Sequence, residues 1–107
     1  MQALSASFKA LGDPIRLRLF ALLGQHKELC VCHLVDALQL PQSTISRHLS
    51  VLRHANLVVT RREGKWMYYH LCGDLSAQIV VILQKQESPQ IQQDLKALHN
   101  ILTSYKF

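Results

Sequence analysis

Two cysteines separated by one residue, Cys30 and Cys32, carry the clearest chemistry in this sequence. A single buried cysteine usually behaves as a small hydrophobic residue. Two cysteines at positions i and i+2 of a helix do not share a face, so at most one of them can belong to an ordinary core. At the start of a helix the backbone dipole gives both thiols thiolate character. The pair therefore predicts either a ligand for a soft ion or a redox thiol.

A second candidate site is a concentration of basic residues between positions 41 and 72. This segment holds five arginines and lysines against a single acid, in a chain whose net charge is +5. Such a concentration is typical of a protein that binds a polyanion. Gln, Ser, Thr and Arg side chains suit base edges and phosphates. The candidate DNA contacts are Gln42, Ser43, Thr44, Ser46, Arg47, His48, Arg61, Arg62 and Lys65.

Helical periodicity places the first six of these residues on one helix. Ile45, Leu49 and Leu52 recur at helical spacing and predict a buried stripe on a helix that follows Pro41 and runs to about Ala55. The hydrogen-bonding residues near its start then face outward. A shorter helix from residue 30 to 38 precedes it. Two short helices in succession are the helix-turn-helix pattern.

A β-hairpin is predicted directly after this motif. Segments 57–62 and 66–71 are rich in Val, Thr and aromatic residues, and a short turn around Gly64 separates them. A helix-turn-helix followed by a basic hairpin is the layout of a winged helix. Because alternate residues of a strand face inward, Trp66 or its neighbours are expected in the core rather than stacked on a base.

The remaining helices flank this unit. Leu4, Phe8 and Leu11 predict a first helix, and Asp13-Pro14 predicts the start of a second, with aspartate as N-cap. A fifth helix follows the hairpin, and Ser88-Pro89 predicts the start of a sixth, a single kinked helix being the alternative.

The predicted fold class is mainly α with a small β-hairpin wing, in one domain over residues 1–107. The helix-turn-helix spans about 30–55, the wing 57–72, and dimerisation helices about 2–11 and 74–105. Leu4 and Phe8, together with Ile79 and Ile82, exceed what one small core needs, which predicts a homodimer.

Other classes of protein lack support. The sequence has no glycine-rich phosphate loop, HExxH motif or Ser/His/Asp arrangement, so we expect neither an enzyme nor a catalytic cofactor. Its first residues are too mixed for a signal peptide, and its longest apolar run, Ile79–Leu83, is far too short to span a membrane. These features predict a cytoplasmic protein without a membrane partner.

Four segments of the chain resemble successive blocks of the ArsR/SmtB metal-sensing repressors. They are ALGDPIRLRLFALL, ELCVCHLVDAL, QSTISRHLSVLRHANLV and RREGKWMYYHL, and the resemblance covers about residues 5–72. The CVC sequence at the start of the helix before the recognition helix is similar to the arsenical-responsive branch. The sequence departs from that branch at Val35, where a third cysteine is usual, and at His33, where an acid is usual.

The resemblance implies a homodimeric winged-helix repressor that leaves a palindromic double-stranded operator when an inducer binds. It implies trivalent arsenic or antimony as inducer, held by Cys30 and Cys32. Cys72 is the candidate third ligand, because the second hairpin strand is expected to pair with the segment before Cys30. If Cys72 is not a ligand, the inducer is arsenite retaining a hydroxide, or a methylated trivalent arsenical.

Three alternatives stay open. Cys30 and Cys32 could form a thiol redox switch, with either joining Cys72. They could instead bind zinc or cadmium with His33, although the family's other zinc site is missing, because its positions after Asp74 hold Ser76, Glu87 and Gln90. A protein-interaction domain built on the helix containing Ile79 would show no salt-dependent DNA binding at all.

Overall fold

The computed structural model describes residues 1–104 as six helices and three short strands. Residue 105, at the end of the predicted second dimerisation segment, lies outside the described residues. In chain order the elements are α1 (Gln2–Leu11), α2 (Pro14–Gly24), β1 (Leu29–Cys30), α3 (Val31–Leu38), α4 (Gln42–His54), β2 (Val58–Glu63), β3 (Trp66–Leu71), α5 (Asp74–Lys85) and α6 (Pro89–Ser104).

The start of α2 is fixed by Asp13, as the sequence predicts. Its carboxylate Oδ2 accepts hydrogen bonds from the backbone N–H groups of Ile15, at 2.9 Å, and Arg16, at 3.1 Å. Pro14 occupies the first turn, where no N–H is needed. These bonds, together with the nearby charges of Arg16 and His48, outweigh the opposing effect of burial and lower the pKa of Asp13.

The helix-turn-helix is formed by α3 and α4, which pack against each other. Gln39 takes the left-handed conformation, with φ of 55°, at the end of α3. It thereby does what a glycine usually does in this turn. No side chain caps α4, because Pro41 stands at its N-cap position. The predicted stripe is confirmed: Ile45, Leu49 and Leu52 are all fully buried.

A three-stranded antiparallel sheet in the order β1-β3-β2 forms the wing and ties it to the start of α3. Tyr68 on β3 lies opposite both Cys30 on β1 and Arg61 on β2. The hairpin is confirmed, with β2 shifted one residue from its predicted start. Gly64 adopts φ of 61° in the turn, a conformation that favours glycine. The sheet therefore connects the thiols to the wing.

The two C-terminal helices have different surroundings. The sequence predicts a break at Ser88-Pro89, and it is confirmed, since α5 and α6 are separate helices. The helix α6 folds back onto α2 and α3 of its own chain. It buries Leu98 completely, and Asp94 within it forms a two-pronged ion pair with Arg18, at 2.8 and 3.0 Å. Leu98 on the apolar face of α6 therefore packs inside its own chain, and the part of α6 in dimerisation stays a prediction.

Four large apolar side chains remain exposed on α1 and α5. Leu4 and Phe8 are 45% and 56% exposed, and Val81 and Ile82 are 48% and 56% exposed. Ile79, also predicted to contribute to a dimer, is instead buried in the chain's own core. Among the described residues, no helix is long and apolar enough to cross a membrane.

Candidate DNA interface and thiol site

The outward face of α4 carries five of its six predicted contact residues at the surface. Gln42, Ser43 and Arg47 are exposed, while Thr44 and Ser46 are half-buried. Because the buried stripe holds the opposite face against the core, this set lies together near the start of the helix. Short hydrogen-bonding groups and an arginine in that position suit the major groove of DNA.

His48 is the exception, and its predicted outward orientation is wrong. Its side chain is only 12% exposed. The ring Nδ1 lies 3.2 Å from Nη1 of Arg16 and 3.8 Å from Oδ2 of Asp13. The histidine thus connects α4 to the start of α2 rather than facing solvent. Helical spacing alone missed this because the partner residues are more than 30 positions away in sequence.

The three cations of the wing have different surroundings. Arg62 and Lys65 are exposed near the turn, as the prediction that they contact DNA requires. Arg61 is also exposed, but its guanidinium pairs with Glu28 at 2.6 Å and with Glu63 at 3.1 Å, and it lies 4.8 Å from the centre of the Tyr68 ring. Hydrogen bonds to Glu28 and then Glu63 raise the pKa of Arg61, and the bond from Arg61 lowers the pKa of Glu28.

Cys30 and Cys32 meet at the first turn of α3. Their sulfur atoms lie 2.7 Å apart, with the Cys32 thiol donating to Cys30 Sγ. Cys30 is buried and acts as the N-cap, because its Sγ also accepts the backbone N–H of Cys32 at 3.3 Å. The Nδ1 atom of His33 accepts the backbone N–H of Cys30 at 3.2 Å. Two thiols are thereby gathered at one point, where a single ion can bind both.

The prediction of thiolate character is wrong for Cys32. Burial raises the pKa of its thiol to about 12, with the hydrogen bond to Cys30 adding to the effect. The helix N-terminus acts in the opposite direction but is outweighed, because a thiolate there loses solvation. This shift favours the protonated form of the Cys32 thiol.

Cys72 lies away from this pair, so its predicted role as third ligand is wrong. The predicted strand pairing is present, but the register sets Cys30 opposite Tyr68, four residues before Cys72. Four residues of a strand cover roughly 13 Å. The Cys72 thiol instead donates to the backbone carbonyl of Asn56 at 3.3 Å. Throughout residues 1–104, no group of three or more His, Cys, Asp or Glu side chains could hold a metal ion.

A cleft of about 320 Å³ joins the thiols to the DNA-binding elements. Cys30 and Cys32 line it, as do Gln42 and Ser46 of α4. The wing closes the cleft with Lys65, Trp66, Met67 and Tyr69. Trp66 is 46% exposed rather than part of the core. The sequence did not predict that Trp66, Met67 and Tyr69 lie beside the thiols, because their position depends on the register between β1 and β3.

Comparison with known proteins agrees with this architecture. Residues 13–60 match the family described as "Bacterial regulatory protein, arsR family". A transcriptional regulator of the helix-turn-helix type from Methanocaldococcus jannaschii is 41% identical over 78 residues, covering 73% of this chain and 88% of that protein. The arsenical resistance operon repressor of Escherichia coli is 42% identical over 78 residues, covering 73% of this chain and 67% of the repressor.

A solved structure gives the same result. The homodimeric winged helix-turn-helix DNA-binding domain of a Mycobacterium bovis regulator superposes with a TM-score of 0.70 at 31% identity, covering 78% of this chain and 76% of that one. Fold and surface thus define a winged-helix, DNA-binding transcriptional regulator, and not an enzyme. The chain belongs to the arsR family of bacterial regulatory proteins, as a transcriptional repressor.

Proposed function

We propose that this repressor holds its operator through α4 and the wing, and releases it when trivalent arsenic or antimony binds Cys30 and Cys32. The observation that carries the proposal is the 2.7 Å approach of the two sulfur atoms at the first turn of α3. Soft trivalent arsenic prefers thiol ligands, and two are already together there. The inducers are arsenite or a methylated trivalent arsenical, and the name of the Escherichia coli relative supports this class.

Release follows from the place of the thiols in the fold. Cys30 Sγ caps α3 by accepting the N–H of Cys32, and an ion that engages both sulfur atoms replaces this bond. The first turn of α3 must then rearrange, and α3 packs directly on α4. A change of about 1.4–3 kcal/mol in DNA affinity between the two states alters operator affinity roughly 10- to 150-fold.

The DNA-bound form is proposed to be a homodimer on a palindromic operator. The exposed apolar faces of α1 and α5 supply an interface, and the homodimeric relative supports it. Two α4 helices then read successive major grooves about 34 Å apart. Gln42, Ser43, Thr44, Ser46 and Arg47 supply base and phosphate contacts, and Arg62 and Lys65 supply wing contacts. Because the proposed partner is operator DNA, we propose a cytoplasmic location.

The two thiol alternatives are less well supported. Peroxide reacts with a thiolate, and the raised pKa of Cys32 disfavours the thiolate of that residue. Zinc takes four ligands in structural sites, and within residues 1–104 the thiols have no third His, Cys, Asp or Glu grouped with them as a metal site.

The test is arsenite titration of a labelled duplex, selected from random DNA by repeated rounds of binding, with release followed by fluorescence anisotropy. Cys32→Ser should bind the duplex like the wild type but stay bound with arsenite. Cys72→Ser is the matched control, because it removes a thiol outside the pair, and it should release normally. Normal release from Cys32→Ser would contradict the proposal, as would release by peroxide but not by arsenite.

A further inference from the structure

The cleft beside the thiols is also lined by wing residues that take no part in the proposed binding of arsenic. Trp66 and Met67 of the wing line the same cleft as Cys30 and Cys32. Both are polarisable side chains on the wing, and Trp66 is 46% exposed. Lys65 lies on the same ring, with Nζ 5.1 Å from its centre. An apolar group held at the thiols would find a large contact surface here.

An ion held by two thiols keeps one valence for a third substituent. Cys72 cannot fill it, because the register of β1 and β3 displaces Cys72 along the sheet. A hydroxide in this position would lie against the apolar indole and thioether. A carbon substituent is not displaced by water and packs well on an aromatic face.

Resting on the arsenic-responsive function proposed above, we infer that the cleft is a binding pocket for the organic group of a monosubstituted trivalent arsenical, R–As(OH)2. Trp66 and Met67 are its specificity-determining residues, and an aryl group fits them better than a methyl group or a hydroxide. The two thiols form two As–S bonds, two As–O bonds break, and each hydroxide leaves as water with one thiol proton. Arsenic stays trivalent, so no oxidant or reductant is consumed.

The same geometry links the organic group to DNA release. Gln42 and Ser46 line the cleft from the first turn and a half of α4, where contacts to bases are expected. An aryl ring of the arsenical, placed between Trp66 and these residues, occupies the space between the wing and α4. Release should therefore become more complete as the substituent grows from hydroxide to methyl to phenyl.

The experiment compares arsenite, methylarsenous acid and phenylarsenous acid on the full chain. Binding is measured by thiolate–arsenic ultraviolet absorption and by quenching of Trp66, the single tryptophan of the sequence. The quantity of interest is the ratio of phenyl to methyl affinity. In Met67→Ala and Trp66→Ala, the latter followed by absorption alone, this ratio should fall about tenfold, the loss of one good aromatic contact.

Val59→Ala is the matched control, because Val59 is a similarly exposed apolar residue of the wing that does not line the cleft. Comparing ratios removes the intrinsic difference in thiol affinity between the arsenicals. Equal ratios in the wild type, Trp66→Ala and Met67→Ala would overturn the pocket while leaving arsenite release intact. Absence of thiolate–arsenic absorption with all three compounds would instead contradict the proposed function, and the pocket with it.

Discussion

At the scale of single residues, a protonated Cys32 predicts that arsenic binding and divalent-metal binding depend differently on pH. Burial and the hydrogen bond to Cys30 raise the pKa of Cys32 to about 12, which favours the protonated thiol at neutral pH. When R–As(OH)2 or arsenite binds, that proton leaves within a water molecule and none is released to solvent. A divalent metal must expel the proton into solution.

Arsenite affinity should therefore be flat between about pH 6 and 8. Zinc or cadmium affinity should rise at least about tenfold per pH unit, from the Cys32 proton alone. Arsenite affinity can be measured at each pH by competition between the protein and a chromogenic dithiol. Zinc affinity can be measured in the same way by competition with a metal indicator. A steep rise of arsenite affinity with pH would contradict a protonated Cys32.

Arg47 is the residue of α4 whose loss should weaken DNA binding most clearly. Its charge is exposed on the outward face of the helix, among the hydrogen-bonding side chains. Arg47→Ala should lower operator affinity about tenfold or more and leave the dimer intact. Arg53→Ala, which removes an exposed arginine from the last turn of the same helix, should have a smaller effect. Anisotropy with the selected duplex measures both, and equal losses would argue against the assigned reading face.

At the scale of secondary-structure elements, Glu28 and Arg61 connect the thiol strand to the wing. Glu28 immediately precedes β1, and its carboxylate holds the guanidinium of Arg61 on β2, across the intervening β3. The ion pair is solvent-exposed, so it contributes little to stability. We expect its main effect to be that it withholds the Arg61 charge from DNA phosphates.

Glu28→Gln should therefore strengthen DNA binding several-fold at low salt and steepen the salt dependence by about one phosphate contact. Affinity measured across a series of salt concentrations tests this. Lys27→Gln, a neighbouring charge change outside the ion pair, should not raise affinity. An unchanged salt slope in Glu28→Gln would show that Arg61 does not reach the phosphates.

Features that depend on neighbouring residues could be predicted from the sequence. Features that depend on contacts between segments far apart in the sequence could not. The cap at Asp13, the stripe from Ile45 to Leu52 and the hairpin around Gly64 depend on neighbouring residues. The strand β1 is only two residues long, and its register decides where Cys72 and Trp66 lie. The inward turn of His48 and the packing of α6 through Asp94 depend on contacts with distant residues, which periodicity does not record.

At the scale of the whole molecule, the exposed side chains of α1 and α5 point to the dimer. Phe8 is 56% exposed and has no core position to fill within its own chain. Phe8→Glu should place a charge in a dry interface and weaken the dimer about 100-fold or more, with loss of operator binding. Gln93→Glu adds the same charge on an exposed part of α6 and should leave the dimer unchanged. Sedimentation of the two variants measures whether each is a monomer or a dimer. If Phe8→Glu were still a dimer, the face that contains Phe8 would be excluded as the dimer interface.

Cys30 is both the N-cap of α3 and one of the two paired thiols. This double role predicts what happens when its thiol is lost. Serine is a strong helix cap, so Cys30→Ser removes the ligand yet keeps the helix start intact. Under the proposed function, we expect Cys30→Ser to remain a repressor that binds its operator but no longer responds to the inducer. Under the proposed function, the genes that it controls would stay repressed when the inducer is present, rather than being expressed when it is absent.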